Sequence, residues 1–261
     1  LLDAAASGAL LTDAGFKTQV DRLLANIPRM SAVLNSFYSQ WLRTNNVVGG
    51  AYSPWISNGI NTAVLAPAMV KELRDFMDFT VLGSPGKFSD LFLSPISFVP
   101  SSQLASIYEI PLPATPNGQI TFTPAYRKGL LGKAAIIATG TDSTHPVKLG
   151  FLVRDRFLCE EIAPPPPNLA GQIIPPAPDP NSTTRQRWEV KTSPSACFGC
   201  HSQMNPLGFA FEHFDSLGRF RQKENIYSIT GTLLNQLPVN TKVVPNVESA
   251  NESPIDGVAD I

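Results

Sequence analysis

Apolar residues at Phe16, Val20, Leu23, Leu24 and Ile27 repeat with the period of one helical face, so the chain predicts an amphipathic helix there. Thr12 or Asp13 stands where an N-cap belongs, and Pro28 stands where that helix would end. Met30, Val33, Leu34, Phe37 and Trp41 repeat the spacing and predict a second helix. Residues 45–61, rich in Gly, Ser and Asn, read as a loop. A third helix is predicted from about Val64 to Val81, with Val70, Leu73, Phe76 and Met77 inward. These three helices form a layer with little polar chemistry.

Residues 83–127 alternate short apolar pieces with Pro and Ser, which predicts short helices and extended segments. Leu130 to Ala138 reads as a buried helix. Pro146 suits the first turn of another, preceded by Thr144 or His145 and running to about Ile162, with Leu149, Leu152, Val153, Arg156 and Phe157 inward. The prolines from Pro164 to Pro167 then force an extended strap reaching about Ser182. Residues 183–193 predict a short helix, and the composition after Arg221 predicts short strands or loops. The fold class expected is mainly α, with a cytochrome c-like second part, an extended proline-rich strap and few short strands. The expected division is a helical domain over 1–85, a cofactor-binding domain over 86–225 with the strap at 163–182, and an extended segment over 226–261 that begins a further domain.

The 261 residues carry 43% hydrophobic and 16% charged side chains, enough apolar content for a packed core. A formal net charge of -1 offers no footprint for nucleic acid. No apolar run approaches the ~20 residues that cross a bilayer. The opening stretch lacks the charged start and cleavage site of a signal peptide and reads like the interior of a longer protein, so both ends are expected to be cut.

Only three cysteines occur, too few for a disulfide scaffold. Two of them lie in Cys197-Phe198-Gly199-Cys200-His201, a C-x-x-C-H string. On a helix the thiols lie one turn apart and can form thioethers to two haem vinyl groups, while His201 meets the iron from one face. Gly199 removes bulk where the porphyrin edge would pass. A structural zinc site would need a second ligand pair, and a thioredoxin-like pair would need a βαβ setting; neither is present. One covalently attached haem c is therefore the expected cofactor.

A ligating histidine usually donates its other ring N–H, and the Pro206 carbonyl or a neighbour is the candidate acceptor, in an Asn205-Pro206 turn that ends the helix. Met204 follows His201 too closely to reach the opposite face. That leaves Met30, Met69, Met77, His145 and His213 for the sixth position. His145, in a distant segment, is the favoured second metal ligand; Met69 comes next, and an open five-coordinate iron third. Arg219, Arg221 and Arg187 are candidates to hold propionates. Trp188, Phe198, Phe209, Phe211 and Phe214 are candidates for an apolar wall, with Phe209 also among the expected cofactor-binding residues. Cys159 is expected to pack as a small buried hydrophobe.

The string CFGCHSQMNPLGFAFEHFDSLGRFR resembles the signature of a family of large secreted cytochrome-like proteins, common in planctomycetes and myxobacteria and built from consecutive domains of unknown function. Upstream, GLLGKAAIIATGTDSTHPVKLGFLVRDRFLCEEIAPPPPNLAG and RMSAVLNSFYSQWLRTNNV resemble the family's proline-run segment and its preceding helical domain, so the likeness spans most of residues 1–225. The family usually has Ser where His145 stands, Asp where Asn205 stands and Asn where His213 stands. A ligand role for His145 is therefore not implied by the resemblance, which implies haem and export more than any reaction.

The expected function is a monohaem c-type cytochrome that transfers electrons in the periplasm or at the cell surface of a bacterium, within a larger protein or redox assembly. Its partners would be redox proteins or other haem subunits. Two alternatives stand beside it: a haem enzyme of peroxidase or oxygenase type with an open sixth site, and a structural subunit with the haem as a staple.

Overall fold

The computed structural model describes residues 1–44, 50–83, 86–123, 126–165, 167, 175–247 and 252–261. The protein is mainly α, with a few short strands. Its first helix, α1 (Leu2–Ala6), leads into α2 (Asp13–Leu24) and α3 (Ile27–Trp41). Thr12 caps α2 by accepting from the Gly15 N–H at 3.1 Å. Pro28 does not end a helix; it sits in the first turn of α3, where its missing N–H costs nothing. The apolar face of α2 is also not buried: Phe16 and Leu24 are exposed, as are Val33 and Phe37 of α3.

The core begins at Tyr38 and Leu42 and is dominated by α5 (Thr62–Leu82), which follows the one-turn α4 (Pro54–Ser57) inside the stretch expected to be loop. Leu73, Phe76 and Met77 are buried on α5 as the period requires. Just before Leu73 lies a residue the apolar pattern hid. Glu72 is fully buried, accepting from the Ser97 hydroxyl and from Tyr108 Oη at 2.6 Å. Burial pushes its carboxyl up from the ordinary range, with Lys133 pulling the other way. Lys133 is itself buried, donating to the Ile96 carbonyl at 2.8 Å and lying 4.2 Å from the Phe76 ring centre; burial pushes it down to about 8.

Residues 86–123 form α6 (Asp90–Leu93), β1 (Ile96–Phe98), α7 (Ser102–Ile107) and β2 (Gln119–Thr121), with β1 and β2 paired antiparallel from Ile96–Thr121 to Phe98–Gln119. The apolar run from Leu130 is buried, but only α8 (Ala134–Ile137) is helical. Helix α9 (Pro146–Arg156) starts at the expected proline and ends earlier than predicted, where the chain turns through Cys159 at φ 56. That turn exposes the Cys159 thiol, so it is not a core residue. Arg154, not Arg156, faces inward: it ties α9 to the Gln203 carbonyl at 2.8 Å and to the Asn246 carbonyl at 2.8 Å.

Helix α10 (Thr184–Thr192) opens with a capping box between Thr183 and Gln186. Helix α11 (Ser195–Phe209) follows after a bend and is the element that carries the C-x-x-C-H string. It does not stop at Asn205-Pro206. The proline penalty of about 3 kcal/mol is outweighed by tertiary packing against α9, where Gly150 and Gly208 let the backbones touch. Beyond α11 a hairpin of β3 (Lys223–Tyr227) and β4 (Leu233–Pro238) and a two-residue pair of β5 (Lys242–Val243) and β6 (Ile255–Asp256) close the chain. No helix among the described residues is long and apolar enough to cross a membrane.

Candidate cofactor site

The N-terminal turn of α11 is seated by the Pro194 carbonyl, which accepts from the backbone N–H of Cys197 and of Phe198 at 2.8 and 2.9 Å. One turn of helix then brings Cys197, Cys200 and His201 onto the wall of a single cavity of about 480 Å³, within the roughly 300–1,000 Å³ typical of cofactor sites. The remaining walls come from the first turns of α9 (His145, Val147, Lys148, Phe151), from the start of the strap (Ile162 to Pro165), and from Trp188, Lys191 and Thr192 of α10. The lining is mostly apolar. Both thiols are free, Cys197 half-buried and Cys200 exposed.

His201 is oriented from behind. Its Nδ1 lies 3.0 Å from Asn205 Oδ1, and Asn205 Nδ2 donates to Thr192 Oγ1 at 2.8 Å. Thr192 Oγ1 in turn donates to the Trp188 carbonyl at 2.7 Å. Because the helix continues through Pro206, the expected carbonyl is unavailable: Pro206 O accepts from Ala210 N instead. The i+4 side chain does the work assigned to the Pro206 carbonyl. With Nδ1–H given to Asn205, the Nε2 lone pair is left for a metal.

The residues fit a covalent haem better than zinc. Among the described residues no three His, Cys, Asp or Glu side chains converge as a tetrahedral metal would need. The thiols instead sit spread along one helical turn. Gly199 lies on the exposed side of that turn, where a Cβ would meet nothing within 4 Å, and it is not among the cavity's lining residues.

The other predicted residues divide. His145 reaches the cavity, as do Trp188 and Met204. His145 is the N-cap of α9: its Nδ1 accepts from the Lys148 N–H at 3.3 Å, an N–H that also reaches the His145 carbonyl at 3.0 Å. Its ring packs on Trp188 with centres 5.0 Å apart, and burial, with Lys148 nearby, lowers its pKa. Arg219 does not line the cavity; Asp215 holds its Nε at 2.6 Å and the Ile56 carbonyl holds a terminal nitrogen at 2.6 Å. Arg221 is paired with Glu212 at 2.8 Å, and Arg187 with Glu224 and the Ser182 carbonyl. The cavity's cations are Lys148 and Lys191, which sequence reasoning missed because it weighed only arginines around the motif.

Phe209 is buried at the far end of α11 beneath Arg185, in a small cluster with Trp188, Ala210 and Val243, and does not touch the cavity. Phe211 and Phe214 belong to the main core, and Phe198 is exposed. Met77 is core, and Met69 lines a separate cavity of about 330 Å³ that His145 also borders. Met30 is not among the cavity's lining residues, and His213 faces Thr241 and Phe220.

Residues 127–224 match the family model of PSCyt3, a protein of unknown function (DUF1588). Residues 1–110 match that of PSD4, a protein of unknown function (DUF1592). The chain thus carries two consecutive segments similar to domains of unknown function. The match over 127–224 contains the whole C-x-x-C-H helix, α9 and α10. No curated protein and no solved structure matches the chain.

Proposed function

We propose that the chain is a monohaem c-type cytochrome that transfers electrons outside the cytoplasm. The observation that carries this reading is the meeting of Cys197, Cys200 and His201 on one apolar cavity, with His201 already oriented by Asn205. When bound, the haem supplies a one-electron couple. The chain's part is to fix and insulate it. Cys197 and Cys200 would hold the porphyrin by thioethers, and His201 would present Nε2 to the iron. Val147, Phe151, Pro164, Trp188 and Met204 would keep water from one side, which lowers the local dielectric and tunes the potential. Lys148 and Lys191 would meet the propionates.

Attachment to C-x-x-C-H takes place beyond the cytoplasmic membrane, so we place the protein in the periplasm or at the cell surface of a bacterium. Its partners would be redox proteins or neighbouring haem subunits, because a single haem passes electrons no further than the next centre.

A second reading, a haem enzyme with an open sixth position, is favoured by one specific observation: the cap bond that occupies His145 Nδ1. Voltammetry of the matured protein separates the two. A reversible one-electron wave, with no turnover of added peroxide, supports the carrier. Peroxide turnover without reversible exchange overturns it.

A further inference from the structure

Whether the iron's second face is closed by the protein depends on His145, since it alone among the described lining residues brings a neutral nitrogen base from a wall other than α11. Met204 stands three residues after His201 on the same helix, and Lys148 and Lys191 are the side chains set to meet the propionates. The tautomer of His145 is the deciding point. A neutral imidazole has one N–H and one lone pair. Nδ1 accepts the Lys148 N–H, which places the lone pair at the cap and the proton on Nε2. None of the described residues bonds Nε2. The ring is also held by its contact with Trp188. So restrained, His145 offers the cavity a donor and keeps its lone pair for the helix.

We propose that the iron's second face is a binding site for a small exogenous ligand, and that His145 Nε2–H serves there as hydrogen-bond donor and not as an iron ligand. The ligand class is a diatomic or small anion that binds end-on and carries partial negative charge on the atom remote from the metal. Such donors and their access decide what a haem pocket binds. The proposal rests on the covalent-haem reading and refines it: the site binds small ligands in addition to exchanging electrons.

The test uses the matured holoprotein and two variants. His145→Ser keeps an oxygen at the N-cap and removes the donor from the cavity; His145→Gln keeps a donor. The wild type is expected to be five-coordinate and high-spin as purified. In His145→Ser, cyanide affinity of the ferric form falls about tenfold or more, as expected for losing one hydrogen bond to a charged acceptor. The C–O stretch of the ferrous carbonyl moves to higher frequency, and His145→Gln restores part of both effects. A wild type that is low-spin without added ligand and becomes high-spin in His145→Ser shows that His145 ligates the iron, and overturns the proposal. Unchanged cyanide affinity and C–O stretch overturn it as well. A chain that carries no covalent haem by its alkaline pyridine spectrum overturns the cofactor reading itself, which distinguishes that failure from this one.

Discussion

Gly150 of α9 and Gly208 of α11 stand backbone to backbone: a Cβ on Gly150 would fall 1.9 Å from the Met204 carbonyl oxygen, and one on Gly208 1.9 Å from that of Pro146. This crossing sets where the start of α9, and so His145, sits relative to His201. Neither contact is with a flexible side chain, so neither can be relieved without moving a helix. Gly150→Ala or Gly208→Ala is expected to cost about 3 kcal/mol or more in urea unfolding, and to lower haem retention. A variant as stable as the parent would show that the helices can separate freely.

Asn205 ties α11 to α10 instead, linking His201 to Thr192. Asn205→Asp keeps the acceptor and adds charge, which makes His201 a stronger donor to the iron and favours the ferric state. The reduction potential should fall by an amount on the order of tens of millivolts. Asn205→Leu removes the acceptor, leaves Thr192 Oγ1 without that donor, and should raise the potential. Equal potentials for all three proteins would disconnect Asn205 from the site.

Glu212 is fully buried next to Arg221, yet one of its oxygens, Oε1, has no hydrogen-bond partner among the described residues. Burial pushes its pKa from 4.5 up to about 7, against the pull of Arg221. Between these values the folded protein binds the proton and the unfolded chain does not. The group's contribution is therefore fully present below pH 4.5 and lost as pH rises towards 7. The histidines act in the opposite sense, since burial lowers both His145 and His213. The difference between wild type and Glu212→Gln isolates the carboxyl: the wild type should lose a few kcal/mol relative to the variant across that window. Parallel stability curves would contradict the assignment.

Glu72 and Lys133 are both buried and interact through their charges without a direct bond between them. Glu72→Leu leaves the Lys133 ammonium with one carbonyl and the Phe76 ring, and strands the hydroxyls of Ser97 and Tyr108. Leaving a buried charge without its compensating charge costs about 3–5 kcal/mol, measurable in urea. Glu72→Leu with Lys133→Met should recover much of that loss, and a double variant as unstable as the single one would contradict the pairing.

Helix positions were legible where the local signal was complete. Thr12 and Pro146 mark starts that α2 and α9 use, and α10 lies within the short helix expected over 183–193. Burial was less legible, because periodicity reports a face but not what covers it: Phe16 and Phe37 repeat with helical spacing and stay exposed. Glu72 was invisible for the converse reason, a charge whose partners Tyr108 and Lys133 come from distant segments. At the site, the i+4 bond from His201 to Asn205 was hidden by the assumption that Asn-Pro ends a helix. The three arginines near the motif were mistaken for free cations because their carboxylate partners Asp215, Glu212 and Glu224 are set by the fold. The proline strap reaches the cavity at Pro164 and Pro165; its residues 166 and 168–174 lie outside the described residues.

The central claim is tested most directly by producing the chain in a host that exports it and matures c-type cytochromes, then denaturing it and recording the alkaline pyridine spectrum and intact mass. The account predicts one haem that stays with the denatured chain through two thioethers, and none retained in the variant with both Cys197→Ser and Cys200→Ser. A wild-type chain whose thiols remain free, or whose haem is released on denaturation, would contradict it.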